Sequence, residues 1–287
     1  MIRFKEYINP KLLGEGGNAV DNVSKIDQEN VAATMSKIYK ELLPALGLKK
    51  DDTALLGSTG KKNPGGQSGD IDMAIDGSAI IKSGKVKDPK QLLSFIASVA
   101  KKHSESVNEL KGIGIVSLAF PIVDTDGKQE GENVQLDLML SDNLNWSKWI
   151  YYSPAEWESE YKGLYRNSFL SAISHVAGRE GDDVNWNRKL LHFASGLYDV
   201  TFSRTGKRGL LKNGKEVSRK FISKDPQGVI DVLLGPKFDA ADILTVADIW
   251  DAINSNNFLW KKHKKEIVKR FAQDVSSKGY PMPDFVK

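Results

Sequence analysis

Two short segments of the chain alternate between polar and apolar residues and place carboxylates where they could act together. In the segment DIDMAID (70–76), Asp70 and Asp72 share one face of a strand, while the isoleucines and the methionine share the other. In the segment NVQLDLML (133–140), Asp137 lies at the centre of an otherwise apolar strand. Two adjacent ionised carboxylates repel each other, and a divalent cation between them removes that repulsion. The three aspartates therefore predict a metal site.

Each of these signals is weak when taken alone. A single D-x-D is usually a solvated strand face, and a single Asp on a central strand is more often a hydrogen-bonded structural residue than a ligand. The combination is more specific, because a glycine turn, a D-x-D and a third carboxylate occur in that order. An unpaired carboxylate in an apolar strand would also be costly, which favours a functional role for Asp137.

A glycine-rich loop lies between a short strand and the first aspartate pair. The run LLGS (55–58) ends the strand, and residues 57–69, GSTGKKNPGGQSG, form the loop. A nucleoside-triphosphate P-loop is excluded, because Leu55 stands where its first glycine belongs and Lys62 stands where a Ser or Thr must reach magnesium. The segment Gly14–Asn18 is not a G-x-G-x-x-G motif and has no apolar strand before it, so a dinucleotide site is not expected.

The order LLGS (55–58), SGDIDMAI (68–75), VQLDLML (134–140) resembles that of the DNA polymerase beta-like nucleotidyltransferase superfamily. The resemblance covers about residues 30–142. The spacing from Ser58 to Asp70 is similar to that of RNA-tailing, CCA-adding and oligonucleotide-synthesising members. The loop carries Pro64-Gly65-Gly66 where those members commonly have a threonine.

The resemblance implies template-independent transfer of a nucleoside monophosphate from a nucleoside triphosphate, with ATP expected, to a hydroxyl group, with release of pyrophosphate. Asp70 and Asp72 would hold two Mg²⁺ ions, and Asp137 would bind the ion at the acceptor hydroxyl. Gly57 and Ser58 would approach the β- and γ-phosphates, and Lys61 and Lys62 could attract the triphosphate.

The remaining patterns predict an α+β protein, with a mixed-sheet half followed by a mostly helical C-terminal domain. The resemblance implies that the mixed-sheet half is a nucleotidyltransferase core. The catalytic domain is expected to span 1–150, with an N-terminal helix, and the basic helical domain 151–287. Periodicity predicts strands at 53–56, 70–76, 113–123 and 133–140, helices at 21–46, 91–102, 156–178, 186–199, 226–234, 240–254 and 258–276, and a small hairpin at 209–222.

Charge is distributed unevenly along the chain. Residues 201–287 carry 17 Lys+Arg and 10 Asp+Glu, whereas the whole chain has a net charge of +4. A basic C-terminal third fits a polyanion, so the expected acceptor is the 3′ end of an RNA such as tRNA. The clusters at 201–237 and 258–271 are the candidates, although the pattern of the second favours an amphipathic helix with a solvated basic face.

Composition narrows the function classes further. With 0 Cys, the chain has no disulfides, thiolate zinc sites or cysteine nucleophiles. The four histidines share no metal-ligand spacing, and no G-x-S-x-G motif supports a serine hydrolase. We find neither a secretory signal nor a run long enough to span a membrane, so a cytoplasmic protein with no membrane partner is expected.

Three alternatives stay open. The same site could transfer the nucleotide to a protein or small-molecule hydroxyl, or join nucleotides into a signalling oligonucleotide. A non-catalytic RNA-binding protein that retains the fold is the alternative from another class. The aromatic residues near the expected boundary could stack a nucleobase or form core: Trp146, Trp149, Tyr151, Tyr152 and Trp157.

Overall fold

The computed structural model describes residues 19–177, 188–193, 196–202 and 216–286. The chain divides into two compact units between Glu158 and Ser159. Within the described residues no helix is long and apolar enough to cross a membrane.

From residue 19 onward, the first unit contains a five-stranded sheet, a small two-stranded pairing and five α-helices. Its strands are β1 (Ile26–Asp27), β2 (Thr53–Leu55), β3 (Gln67–Ser68), β4 (Asp70–Asp76), β5 (Val107–Leu110), β6 (Ile115–Val123) and β7 (Gln129–Ser141). Its helices are α1 (Val31–Lys37), α2 (Leu43–Leu46), α3 (Gly77–Lys82), α4 (Leu92–Ala100) and α5 (Leu144–Ile150).

The five-stranded sheet has the order β2-β4-β7-β6-β5. Strands β4 and β7 are parallel neighbours, and the other pairs are antiparallel. The mixed sheet confirms the α+β class. The expected hairpin is also present as β6 and β7, although β7 begins at Gln129, earlier than the apolar run suggests.

One face of this sheet carries the main core of the unit. The apolar residues of β4, β6 and β7 alternate onto that face and pack with α1, α2 and α4. The opposite face holds the polar residues of the same strands, and α5 packs beside β2 and β4 with Ala54, Leu56 and Ala74 in a smaller cluster. A strand with one buried and one functional face gives this alternation.

The first helical region is shorter than its periodicity suggests. Residues 21–27 are not helical, and the helix starts at Val31 after a 3-10 turn at Gln28–Asn30. A π-helical turn at Ile38–Leu42 joins α1 to α2. The segment ends where Gly47 adopts φ +77°, a left-handed conformation that glycine allows, and its N–H donates to the carbonyl of Pro44 at 3.0 Å.

The second unit combines helices with a three-stranded antiparallel sheet. Its elements are α6 (Gly163–Ala177), β8 (Arg188–Phe193), β9 (Gly196–Phe202), β10 (Glu216–Ser223), α7 (Pro226–Leu233), α8 (Val246–Asn254) and α9 (Lys264–Ser277). The strand order is β10-β9-β8. Helix α6 packs on α9, where the rings of Phe169 and Phe271 stack with centroids 4.2 Å apart.

The helix expected at 186–199 is wrong. Residues 188–193 and 196–202 are paired strands, with Leu191 opposite Tyr198. Gly196, with φ +127°, interrupts the helical periodicity between the two strands. Strand pairing here overrides a local periodicity that is too short to distinguish the two structures.

The expected hairpin at 209–222 lies partly outside the described residues. The second half of the expected hairpin corresponds to β10. This strand pairs with β9, residues 196–202, which lie before the expected hairpin. The helices expected at 226–234, 240–254 and 258–276 are present as α7, α8 and α9, the last two starting later. The helix expected from 156 begins at Gly163.

Candidate active site

The three aspartates lie side by side on the two central parallel strands. Asp72 on β4 is directly opposite Asp137 on β7, and Asp70 is opposite Gln135. Side-chain oxygens of the three aspartates all lie within 4.8 Å of one another, and all three side chains are partly buried. Among the described residues, this is the one group of three or more His, Asp or Glu side chains close enough to hold a metal ion. The expected grouping is therefore present.

The cluster carries more negative charge than its surroundings balance. Burial, and then the charge of Asp137, raises the pKa of Asp70 to about 6, although Lys62 opposes the shift. Burial, and then the charges of Asp70 and Asp137, raises the pKa of Asp72 to about 8. A divalent cation would reverse these shifts, because it favours the ionised form of every carboxylate around it.

Two polar side chains on the same face act on Asp137. The Gln135 amide donates to both carboxylate oxygens, at 3.1 and 3.0 Å. Ser117, opposite Asp137 on β6, is fully buried, and its hydroxyl makes no hydrogen bond of ordinary geometry among the described residues. Burial raises the pKa of Asp137, and the nearby Ser117 and Gln135 partly offset that effect.

Gln135 was not predicted from the sequence. An amide in a strand has no distinctive spacing, and its role depends on which side chain lies two residues further along the same face. The alternation that singled out Asp137 also placed Gln135 beside it, and that was the only signal available.

Gly57 turns the backbone against the aspartates. It has φ +62°, and its N–H donates to the carbonyl of Tyr151 at 3.1 Å. A Cβ built at this position would lie 2.8 Å from Oδ2 of Asp72. Only glycine therefore allows the backbone to pass this close to the carboxylate.

The loop after Gly57 is tied to β4. Ser58 follows the turn, and its carbonyl accepts a hydrogen bond from the N–H of Lys61 at 3.1 Å. The buried Thr59 hydroxyl donates to the carbonyl of Asp70 at 3.0 Å. These contacts hold Gly57 and Ser58 next to the aspartate pair.

Lys61 and Lys62 differ in their surroundings. The Lys61 ammonium donates to the carbonyl of Ser153 at 2.7 Å and lies 4.4 Å from the ring centroid of Tyr152. Burial lowers the pKa of Lys61. Lys62 pairs with Glu156 at 3.0 Å, and its charge reaches Asp70. Lys61 thus stabilises the loop through its contacts with residues 152 and 153, whereas the positive charge of Lys62 lowers the pKa of Asp70.

A strap of backbone, residues 19–22, crosses the polar face beyond Asp137. The N–H of Ala19 donates to Oε1 of Gln135 at 2.9 Å, and its carbonyl accepts from the Asn108 amide at 3.0 Å. The N–H of Asp21 donates to the Ser106 hydroxyl at 3.1 Å. Gln135 therefore links this strap to the carboxylate of Asp137.

Other candidates from the sequence fall outside the site. Asp76 is the N-cap of α3 and accepts from the N–H of Ser78 at 2.7 Å, as its position at the strand end suggests. Trp146 and Trp149 are buried in the first unit, with ring centroids 5.3 Å apart, whereas Trp157 is 64% exposed.

The basic clusters are described only in part. Arg204, Lys207, Arg208, Lys212 and Lys215 lie outside the described residues. In the second cluster, α9 buries Ile267 and Phe271 and leaves several lysines exposed, as expected. Leu259, which precedes the helix, is 52% exposed.

The donor set fits Mg²⁺, which prefers carboxylate oxygens and keeps the rest of its shell for water and phosphate. No nitrogen or sulfur donor joins the three carboxylates in the described group. Comparison of the sequence with protein-family models and with curated proteins gives no significant match. The geometry of the three carboxylates and the glycine turn is therefore the basis for assigning a function.

Proposed function

We propose that the protein is a template-independent, magnesium-dependent nucleotidyltransferase that transfers a nucleoside monophosphate from a nucleoside triphosphate to a hydroxyl at the 3′ end of an RNA. The observation that carries the proposal is the meeting of Asp70, Asp72 and Asp137 on adjacent strands beside the Gly57 turn. The resemblance in motif order supports the same reaction.

Each part of the site has a place in that reaction. Divalent cations, when bound, stabilise the attacking and leaving oxygens of an in-line displacement. Asp70 and Asp72 would hold these cations on the side of the site that faces the glycine turn. Ser58 offers its backbone N–H and its hydroxyl to the β- and γ-phosphates. Gly57, whose own N–H donates to the carbonyl of Tyr151, lets the backbone come close because no Cβ at residue 57 blocks the approach. Lys62 provides positive charge near the same place.

Asp137 serves the acceptor. It lies on the far side of Asp72 from the glycine turn, since β7 follows β4 in the strand order. The acceptor hydroxyl oxygen attacks the α-phosphorus, the bond from that phosphorus to the bridging oxygen breaks, and pyrophosphate leaves. Asp137 orients the hydroxyl and is the nearest group to receive its proton. The hydrogen bonds from Gln135 fix the carboxylate for that task.

Labelled-nucleotide incorporation tests the proposal. The purified protein is incubated with Mg²⁺, each α-labelled nucleoside triphosphate and total RNA, and products are separated as RNA, protein and small molecules. We expect label in RNA, no label with chelator, and a loss of at least about 100-fold in Asp72→Asn. Asp76→Asn is the control, because it lies on the same strand and an asparagine preserves the helix cap.

The outcome also decides between the alternatives. Label in protein or in a small product would keep the reaction and change the acceptor. The absence of incorporation into any product, together with no binding of nucleoside triphosphate, would support a non-catalytic RNA-binding protein. Full activity in Asp72→Asn would refute the site.

A further inference from the structure

A pocket of about 400 Å³ lies on the acceptor side of the sheet in the first unit. Its lining includes Asn22 from the strap, Ala119 from β6 and Asn133 from β7, together with the turn that carries Lys101 and Lys102. It shares no residue with the triad or the glycine loop. The reaction described so far gives it no role.

The pocket opens on the same sheet face as the aspartates. Ala119 is opposite Gln135 in the β6–β7 register. Asn133, Gln135 and Asp137 are every second residue of β7, so their side chains point to one face. Asn133 lies four residues from Asp137, which corresponds to about 13 Å along the strand. An RNA whose terminal hydroxyl reaches Asp137 would cross this distance with its last few nucleotides.

The pocket and the glycine turn lie on opposite sides of the aspartates. The strand order β2-β4-β7-β6-β5 puts Gly57 on one side of the aspartates and the pocket on the other. With the triphosphate at Gly57, the direction of entry left for the acceptor is over β6 and β5. The strap covers part of this route and shapes the pocket through Asn22, which has φ +60°.

The lining is suited to a phosphodiester. Lys101 and Lys102 are exposed, and neither forms an ion pair with any described residue. His103 and the amides of Asn22 and Asn133 add hydrogen-bonding groups around them, and Glu105 is the one acid in the lining. Adjacent unpaired lysines beside neutral donors bind phosphate oxygens of a nucleic-acid backbone without reading its sequence.

We propose that this pocket is a subsite for the backbone phosphates of the acceptor RNA just before its 3′ end, with Lys101 and Lys102 as its cationic contacts. The inference rests on the proposed function for the position of the 3′ end. The RNA end that this pocket binds is single-stranded, because its phosphates must follow the sheet face toward Asp137.

The test compares wild-type protein with the double variant Lys101→Ala/Lys102→Ala. Fluorescence anisotropy measures the Kd for a short, unstructured, 5′-labelled RNA at several salt concentrations. We expect the Kd to rise about tenfold and the slope of log K against log salt to fall by about 1.4, from ~0.7 per lost phosphate contact. Lys87→Ala/Lys90→Ala is the matched control, since both lysines are exposed in the same unit and lie outside the pocket.

Kinetics provide a second readout. In the incorporation assay the double variant should raise the KM for RNA and leave the KM for the nucleoside triphosphate unchanged. A wild-type Kd and salt slope in the double variant, the same loss in the control, or an altered KM for nucleotide alone would overturn the subsite. If the wild type incorporates label normally in that case, the proposed function survives and only the subsite fails. If no RNA is ever labelled, the proposed function fails whatever the binding shows.

Discussion

At the scale of single residues, the site depends on how closely the backbone approaches the carboxylates. The three aspartates were predictable because alternation assigns each of them to a face, and their register is the only further fact required. The fit of Gly57 against Asp72 was not predictable, because it depends on the distance between two strands. The role of Gln135 was not predictable either, because an amide two residues from Asp137 on the same strand carries no distinctive signal. An alternating sequence pattern shows on which face of a strand each side chain lies, whereas the contacts between side chains depend on how the elements pack.

Gly57→Ala should impair catalysis more than it impairs stability. The new methyl group would lie 2.8 Å from Oδ2 of Asp72 and push the carboxylate away from its neighbours. The left-handed backbone itself costs about 1–2 kcal/mol for a residue with a Cβ. Gly84→Ala is the control, because Gly84 has φ +76° and nothing within 4 Å of an added Cβ. Thermal unfolding should show similar losses in both variants, with activity lost in the Gly57 variant only.

Gln135→Leu should lower kcat by about 10- to 100-fold, the usual effect of removing a hydrogen bond that orients a ligand. The KM for nucleotide should change little, since the glycine loop lies on the other side of the site. Asn108→Ala removes a different anchor of the strap and does not touch Asp137. Equal losses in the two variants would mean that Gln135 acts through the strap and not through the carboxylate.

At the scale of elements, the loop after Gly57 is built as part of the site and not as a flexible connection. The N–H of Glu156 donates to the carbonyl of Lys61 at 3.0 Å, and the Glu156 carboxylate accepts from the N–H of Asn63 at 3.1 Å. The glycines and the two lysines of the sequence indicate a phosphate-binding loop. The contact with residues 151–158 that fixes its shape could not be predicted, because no periodicity marks it.

The two lysines of this loop should behave differently when each is replaced by methionine. Lys61→Met removes a partly buried hydrogen bond and a contact with the Tyr152 ring, so it should lower the free energy of unfolding by about 1–2 kcal/mol. Lys62→Met should leave stability nearly unchanged, because partly exposed ion pairs contribute little. Its effect should be a several-fold higher KM for nucleotide. Denaturant unfolding and steady-state kinetics separate the two, and the reverse pattern would contradict the assignment.

The element that sequence reasoning misassigned lies in the second unit. Residues 188–193 and 196–202 contain apolar residues at spacings that fit a short helix as well as a strand. Residues 188–193 pair with 196–202, and 196–202 also pair with β10, which begins at Glu216. The periodicity of one segment does not show its pairing with another, least of all with a partner as distant along the chain as β10.

At the scale of the whole molecule, the aspartate cluster links stability to pH and to metal. In metal-free protein, Asp70 and Asp72 have pKa values of about 6 and about 8, above the value near 4 of an unfolded chain. The folded state then binds more protons than the unfolded state between these limits, so the free energy of unfolding falls as pH rises through them. The same two groups stabilise nothing by their charge until a cation is bound.

We therefore expect the Tm of chelator-treated protein to fall from about pH 4 to about pH 8, and Mg²⁺ to raise it most at the upper end. Asp72→Asn should flatten this dependence and stabilise the metal-free protein at high pH by about 1–3 kcal/mol, because an uncompensated charge is removed. Asp76→Asn should keep the wild-type slope. A wild-type Tm that rises across this range in chelator, with the same slope in Asp72→Asn, would contradict the electrostatic assignment.

Whether Asp70, Asp72 and Asp137 form a metal site is tested by a calorimetric titration of Mg²⁺, and separately of Mn²⁺, into metal-free wild type, Asp72→Asn and Asp76→Asn. The geometry predicts binding by the wild type and by the Asp76 variant, and at least about a tenfold weaker affinity in the Asp72 variant. Unchanged affinity in Asp72→Asn, or no binding of either ion by the wild type with and without nucleoside triphosphate, would show that the three carboxylates do not form a metal site.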